Sequence, residues 1–108
     1  MDGAIGTADA LPRCAAAVAH VPGSKLEILV DGGVRRGKDI VRALALGATA
    51  VLLGRPIHWG LCLGGSDGVE HALGVLQDEL TISLQLCGCQ SPADVKPTHV
   101  WRSDGAAL

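Results

Sequence analysis

The sequence predicts an α/β chain made of two neighbouring βα units of a parallel barrel. Two observations predict it. Two short apolar runs, Ile28-Leu29-Val30 and Val51-Leu52-Leu53, each lead into a glycine–arginine corner, Asp31-Gly32-Gly33-Val34-Arg35 and Gly54-Arg55. Between the corners lies a stretch with the spacing of an amphipathic helix. Strands that alternate with helices imply parallel pairing and right-handed crossovers.

Each element has its own signal. Residues 10–20 are Ala-rich and read as a helix that Thr7 or Asp9 caps, with Pro12 in the first turn. Val21-Pro22-Gly23-Ser24 ends it. Residues 26–30 read as a strand whose unbroken apolar run predicts burial on both faces. Residues 38–46 read as a helix with Ile40, Val41, Ala43 and Leu44 inward, and Gly47 as its left-handed stop. Residues 50–53 form the second strand, and residues 57–63 a short extra helix. Gly64 to Asp67 make a loop, and the longest helix follows over residues 69–86, with Val69, Ala72, Leu73, Leu76, Leu80 and Leu84 on one face. The rest is tail, with one turn near Ser91-Pro92-Ala93-Asp94.

The composition narrows the function. A chain of 108 residues with 48% hydrophobic residues reads as one small globular unit, with no second domain. A net charge of −2 argues against nucleic acid as a partner. No apolar run approaches the roughly 18 residues of a membrane span, and no basic stretch followed by an apolar one marks a secretory leader. The core must rest on Leu, Val, Ile and Ala, because there are two Trp and no Phe or Tyr. Cys14, Cys62, Cys87 and Cys89 lack zinc spacing and read as free, buried or semi-buried thiols. No metal site is expected.

The two corners carry the chemistry. Glycine lets backbone N–H groups come close to a phosphate, and arginine adds a permanent positive charge with a fixed fork of donors. Asp31 suits a sugar or ribityl hydroxyl. The start of the helix after Pro56 adds a favourable dipole. In eight-stranded α/β barrels the loops after the last two strands often hold phosphate beside a short extra helix. Alternatively, Gly32 and Gly33 only punctuate structure, and Arg35, Arg36 and Arg55 are solvated surface. His58 and Trp59 either border the cofactor or pack. His20, His71 and His99 stand alone, and Asp78-Glu79 read as the solvated face of the long helix. No nucleophile–base arrangement is present, so no catalytic residue is assigned.

With those residues in place, the chain resembles the FMN-dependent 2-hydroxy acid oxidases and dehydrogenases. The likeness lies in Asp31-Gly32-Gly33-Val34-Arg35-Arg36-Gly37, Asp39, residues 43–48 and Gly54-Arg55-Pro56. Weaker likeness lies in residues 9–12, 78–80, 86–89 and 99–100. It covers about residues 2 to 100, with a finer likeness to the animal-type 2-hydroxyacid oxidases. The resemblance implies the C-terminal portion of a TIM (β/α)8 barrel, about its last two βα units. It also implies FMN as cofactor, bound by Asp31, Gly32, Gly33, Val34, Arg35, Gly54 and Arg55. Arg35 and Arg55 would clamp the phosphate, with Gly33 and Gly54 donating N–H groups.

The implied reaction oxidises a small 2-hydroxy acid to a 2-oxo acid, forming hydrogen peroxide in the oxidases, within a homo-oligomer of intact chains. The family's catalytic histidine and substrate arginine precede the helix near Asp9, so the 108 residues alone are expected to be inactive. A full barrel takes about 250 residues. Open sheet edges then predict a loose state, aggregation or dependence on a partner. Another phosphate-binding barrel enzyme and a non-catalytic interaction piece remain the alternatives. The tail Ala106-Ala107-Leu108 keeps the final Leu of a peroxisomal tripeptide without its basic middle residue, which points to the peroxisome, with the cytoplasm as alternative.

Overall fold

The structure, a computed structural model, describes residues 3–101. Its elements are α1 (Thr7–Ala19), β1 (Leu29–Val30), α2 (Gly37–Ala45), β2 (Ala50–Val51) and α3 (Arg55–Leu86), followed by 3-10 turns at Pro92–Asp94 and Pro97–His99. The two strands pair in parallel, Leu29 opposite Ala50 and Val30 opposite Val51. Flanking bonds from Thr49 N–H to the Ile28 carbonyl (2.8 Å) and from Leu52 N–H to the Val30 carbonyl (2.7 Å) extend the ladder slightly. The α/β order and the parallel pairing agree with expectation.

Several boundaries differ, for physical reasons. α1 starts at Thr7, behind Gly6, whose carbonyl accepts from the N–H groups of Asp9 and Ala10. Asp9 therefore lies in the first turn and is not the cap. Pro12 is a turn deeper than predicted, where its missing N–H leaves the exposed Ala8 carbonyl to solvent. Both strands are shorter than their apolar runs: β2 leaves the ladder after Val51 as the chain bends into its corner, whereas β1 ends at Val30 as expected but starts only at Leu29. The loop predicted at Gly64 to Asp67 is real but shorter: Gly64 and Gly65 alone are non-helical, and Ser66 already belongs to the second helical part of α3. A turn at Pro97–His99 was not foreseen.

Two small cores hold the elements. Leu11 of α1, Val30, Ala43 of α2 and Ala48 pack between the helices and one face of the sheet. Val41 of α2, Leu84 of α3 and Cys89 form the second, with Leu80 and Val95 beside them. The double-sided burial predicted for the strands is not found. Leu29 is 56% exposed and Leu52 49%, because side chains alternate across a strand and the face opposite the helices is uncovered. Leu73, predicted on the inner face of the long helix, is also exposed, whereas Leu76 and Leu84 are buried. Of the thiols, Cys89 is buried and Cys87 half-buried, but Cys14 and Cys62 are exposed, contrary to expectation.

The segment after α3 is tied down by Asp94. Its carboxylate accepts from Ser91 N–H (2.8 Å), Ser91 Oγ (3.0 Å) and Gln90 N–H (3.1 Å). The bonds from Ser91 hold its carboxyl below the usual carboxylate range. In the unfolded chain the same carboxyl takes up its proton first, near pH ~4. The stabilisation is therefore complete at neutral pH and fades as pH falls from there through the depressed folded value. An acid titration followed by amide NMR should show the Gln90–Val95 turn unchanged from about pH 8 to 5 and opening below. Asp94→Asn should remove that dependence.

Candidate functional site

Both glycine–arginine corners open into one cleft of about 270 Å³. All seven residues expected to bind FMN line it: Asp31, Gly32, Gly33, Val34 and Arg35 from the first corner, Gly54 and Arg55 from the second. Leu52, Pro56 and Trp59 complete the wall. The parallel ladder explains the convergence. It sets the two strands side by side with their C-terminal ends at the same level, so both exits meet. Trp59, open to either a bordering or a packing role, lies at the cleft and is 54% exposed. His58 is exposed and does not line it.

The first corner needs its glycines. Gly32 and Gly33 have φ of 100° and 81°, consecutive left-handed values that a side chain would resist. Val34 is then buried, 7% exposed, where the corner turns back into the protein. The second corner leads straight into α3. Gly54 stands at its N-cap, and its carbonyl accepts from the N–H groups of Ile57 and His58. Pro56 has no N–H and those of Ile57 and His58 go to Gly54, so what the start of α3 brings to the cleft is Arg55 and the positive end of the helix dipole.

A donor census shows what this cleft can bind. Among the described residues, the N–H groups of Gly33, Val34 and Gly54 have no protein acceptor, and no carboxylate pairs with the guanidinium of Arg35 or Arg55. Neighbouring donors are occupied. Asp31 Oδ1 takes the N–H of Gly32 (2.8 Å), and Asp39 Oδ2 takes those of Arg35 (3.1 Å) and Arg36 (3.0 Å). Arg36 donates through Nε to both oxygens of Glu79, at 2.8 and 3.0 Å. The reading of Glu79 as a solvated face is therefore corrected: it binds Arg36 and the N–H of Gly37 (2.8 Å). Arg36 raises no free charge at the cleft, while Arg35 and Arg55 do. Pairing with Arg36, reinforced by the Gly37 N–H, keeps the Glu79 carboxyl below its usual range.

Such a set of uncompensated cations and unbonded N–H groups suits a phosphate dianion. The cleft is smaller than the about 300–1,000 Å³ typical of whole-ligand pockets, so it fits the phosphate end of a nucleotide-like cofactor and not its ring system. A larger hollow of about 440 Å³ lies across the same corner, lined by Leu11, Val30, Ala43 and Leu46 among others. Among the described residues Arg42 is the one cation on its wall, and Asp39 stands there too, so it lacks the anion-binding character of the smaller cleft. Among the described residues no cluster of metal-ligating side chains occurs, and no helix is long and apolar enough to cross a membrane. His99, expected to stand alone, instead accepts at Nδ1 from Lys96 N–H (3.0 Å) and lies 3.7 Å from Cys89 Sγ; it does not line the cleft. The tripeptide at residues 106–108 lies outside the described residues.

Comparison with known proteins agrees with this chemistry. The chain is 52% identical to an L-lactate oxidase of Nostoc sp. over 95 residues, covering 88% of this chain and 25% of that protein. It is 44% identical to human 2-hydroxyacid oxidase 1 over 100 residues, covering 93% of this chain and 26% of that one. The finer likeness to animal-type oxidases is thus not a distinguishing one. A mandelate oxidase variant solved with a monooxide FMN adduct superimposes with a TM-score of 0.81 at 43% identity, over 89% of this chain and 29% of that one. The chain spans about a quarter of the length of the curated relatives it matches. Residues 1–102 match the FMN-dependent dehydrogenase family, to which the chain belongs, and FMN is the cofactor of that family.

Proposed function

We propose that this chain supplies the FMN-phosphate grip of a 2-hydroxy acid oxidase. The observation that carries the reading is the convergence of both corners on one cleft with its donors free. In this reading Arg35 and Arg55 clamp the phosphate, the N–H groups of Gly33, Val34 and Gly54 bind its remaining oxygens, and Asp31 meets the ribityl chain. When bound, FMN supplies the two-electron acceptor for oxidation of a 2-hydroxy acid to a 2-oxo acid, with hydrogen peroxide formed on reoxidation by oxygen. The chain's residues orient and anchor; none is assigned a proton-transfer role. The two βα units are read as the last two of a (β/α)8 barrel, supported by the parallel register and by helices on one face of the sheet. The remaining barrel, the catalytic base and the homo-oligomer belong to an intact chain. The peroxisome, or alternatively the cytoplasm, is its proposed compartment.

Flavin titrations test the grip. Binding of FMN and of riboflavin, which lacks only the phosphate, is measured by flavin fluorescence. FMN should bind at least about tenfold tighter, the scale of one charge-assisted phosphate contact. Equal binding would remove the phosphate from the argument. The same chain, mixed with FMN and lactate or glycolate, should form no peroxide. The uncovered sheet face, with Leu29 and Leu52 exposed, favours a second reading: a non-catalytic piece that docks on other subunits. Docking without any FMN preference would select it.

A further inference from the structure

Arg35 and Arg36 are adjacent, chemically identical and both exposed, yet only Arg35 lines the cleft. Something must sort them. We propose that Glu79, on α3, is the positioning residue that parks Arg36 and locks the Asp31–Gly37 corner, leaving Arg35 to face the phosphate. This rests on the reading of the cleft as an FMN-phosphate grip.

The geometry supports the role at three points. Both Glu79 oxygens bind Arg36 Nε, at 2.8 and 3.0 Å, so that guanidinium is held from outside the corner. Glu79 Oε2 also accepts the N–H of Gly37 at 2.8 Å, which pins the first residue of α2 directly to α3. And the backbone of Glu79–Leu80 lies so close that a Cβ on Gly37 would run into it, so the carboxylate has no slack in reaching the corner. Each donor consumed this way belongs to the side of the corner away from the cleft. Asp39 completes the sorting by taking the N–H groups of Arg35 and Arg36. Without Glu79, the Arg36 guanidinium would be released to swing toward the anion, the Gly37 N–H would be left unbonded, and the corner would lose the side-chain bonds to α3 that the described residues show. The N–H groups of Gly33 and Val34, which have no protein partner, would then be presented in no fixed direction.

The test compares the 108-residue wild type with Glu79→Ala, Glu79→Gln and Arg35→Ala by two readouts. The first is the ratio of FMN to riboflavin affinity, which a general loss of stability would not change. The second, measured without ligand, is the NMR order parameter of the Gly33 and Val34 amides. Glu79→Ala should lower the affinity ratio about tenfold, the scale seen when partners that orient ligating groups are removed, and should lower both order parameters. Glu79→Gln keeps the shape and the acceptor for Gly37 but loses the charge that holds Arg36, so the ratio should fall about threefold. If Glu79→Ala weakens FMN and riboflavin equally, or leaves the Gly33 and Val34 amides as ordered as in wild type, the positioning role is wrong. Should Glu79→Ala fail to fold, Glu79→Gln decides: an unchanged ratio and unchanged order parameters overturn the proposal. A wild type without FMN preference, with Arg35→Ala without effect, defeats the phosphate-grip reading instead, and the order parameters still report whether Glu79 locks the corner.

Discussion

Replacing Arg35 and Arg55 together by alanine is expected to abolish the preference of this chain for FMN over riboflavin, while riboflavin binding stays as it was. Hydrogen bonds to charged groups are worth more than neutral ones, and a lost arginine–phosphate contact weakens binding by about tenfold or more. Two such losses on one phosphate give about a hundredfold. The two residues carry this weight because, among the described residues, no carboxylate neutralises either of them. Arg36→Ala is the internal control. Its guanidinium is already committed to Glu79, so removing it should change the FMN preference much less than removing Arg35. Lysine at position 35 should restore only part of the loss, since an ammonium keeps the charge but not the planar fork. Salt should also weaken FMN binding to the wild type more than to the double variant, because screening acts on the charged contacts.

The second large effect is expected at Gly37. An alanine there places a methyl group where the Glu79–Leu80 backbone runs, and a backbone cannot move aside as a flexible side chain does. Overpacking of this kind costs about 1–3 kcal/mol, which for a domain of about this size lowers Tm by roughly 4 °C or more. The Gly37→Ala variant should therefore melt lower by thermal unfolding. It should also bind FMN less selectively, because separating α2 from α3 pulls Glu79 away from Arg36. Gly74→Ala provides the contrast. Gly74 lies within α3 with nothing near its Cβ position, so alanine should raise stability by about 0.5–1 kcal/mol. A lower Tm for both variants would show that the close approach at Gly37 is not what matters.

What could be seen in the sequence follows from how local the signal is. The corners were legible as turns because glycine followed by arginine at the end of an apolar run is a local pattern, and its repetition at the next strand exit favours a shared cleft over mere punctuation. Gly47 was legible as a helix stop, and its φ of 104° bears that out. The break at Gly64–Gly65 was visible for the same reason. Glu79 was not visible: it meets Arg36 and Gly37 from 43 and 42 residues away, and nothing in an acidic pair on a helix reveals which way it faces. The double-sided burial of the strands failed differently. An apolar run states what a strand tolerates on each face, but whether atoms arrive to cover that face is decided elsewhere. Trp59 fell between two readings because a large ring beside a turn serves packing and ligand walls alike. The start of α1 was misplaced because Gly6 caps through its backbone, without the oxygen-bearing side chain that marks most helix starts.

The lopsided sheet has a bearing on how such a protein is put together. On the helical side, Leu11, Val30, Ala43 and Ala48 already meet, so the outer shell of this sector is finished by its own atoms. On the other side Leu29 and Leu52 stay about half exposed, at 56% and 49%. In the barrel reading proposed above, that bare face is left for the remaining strands of an intact chain to cover.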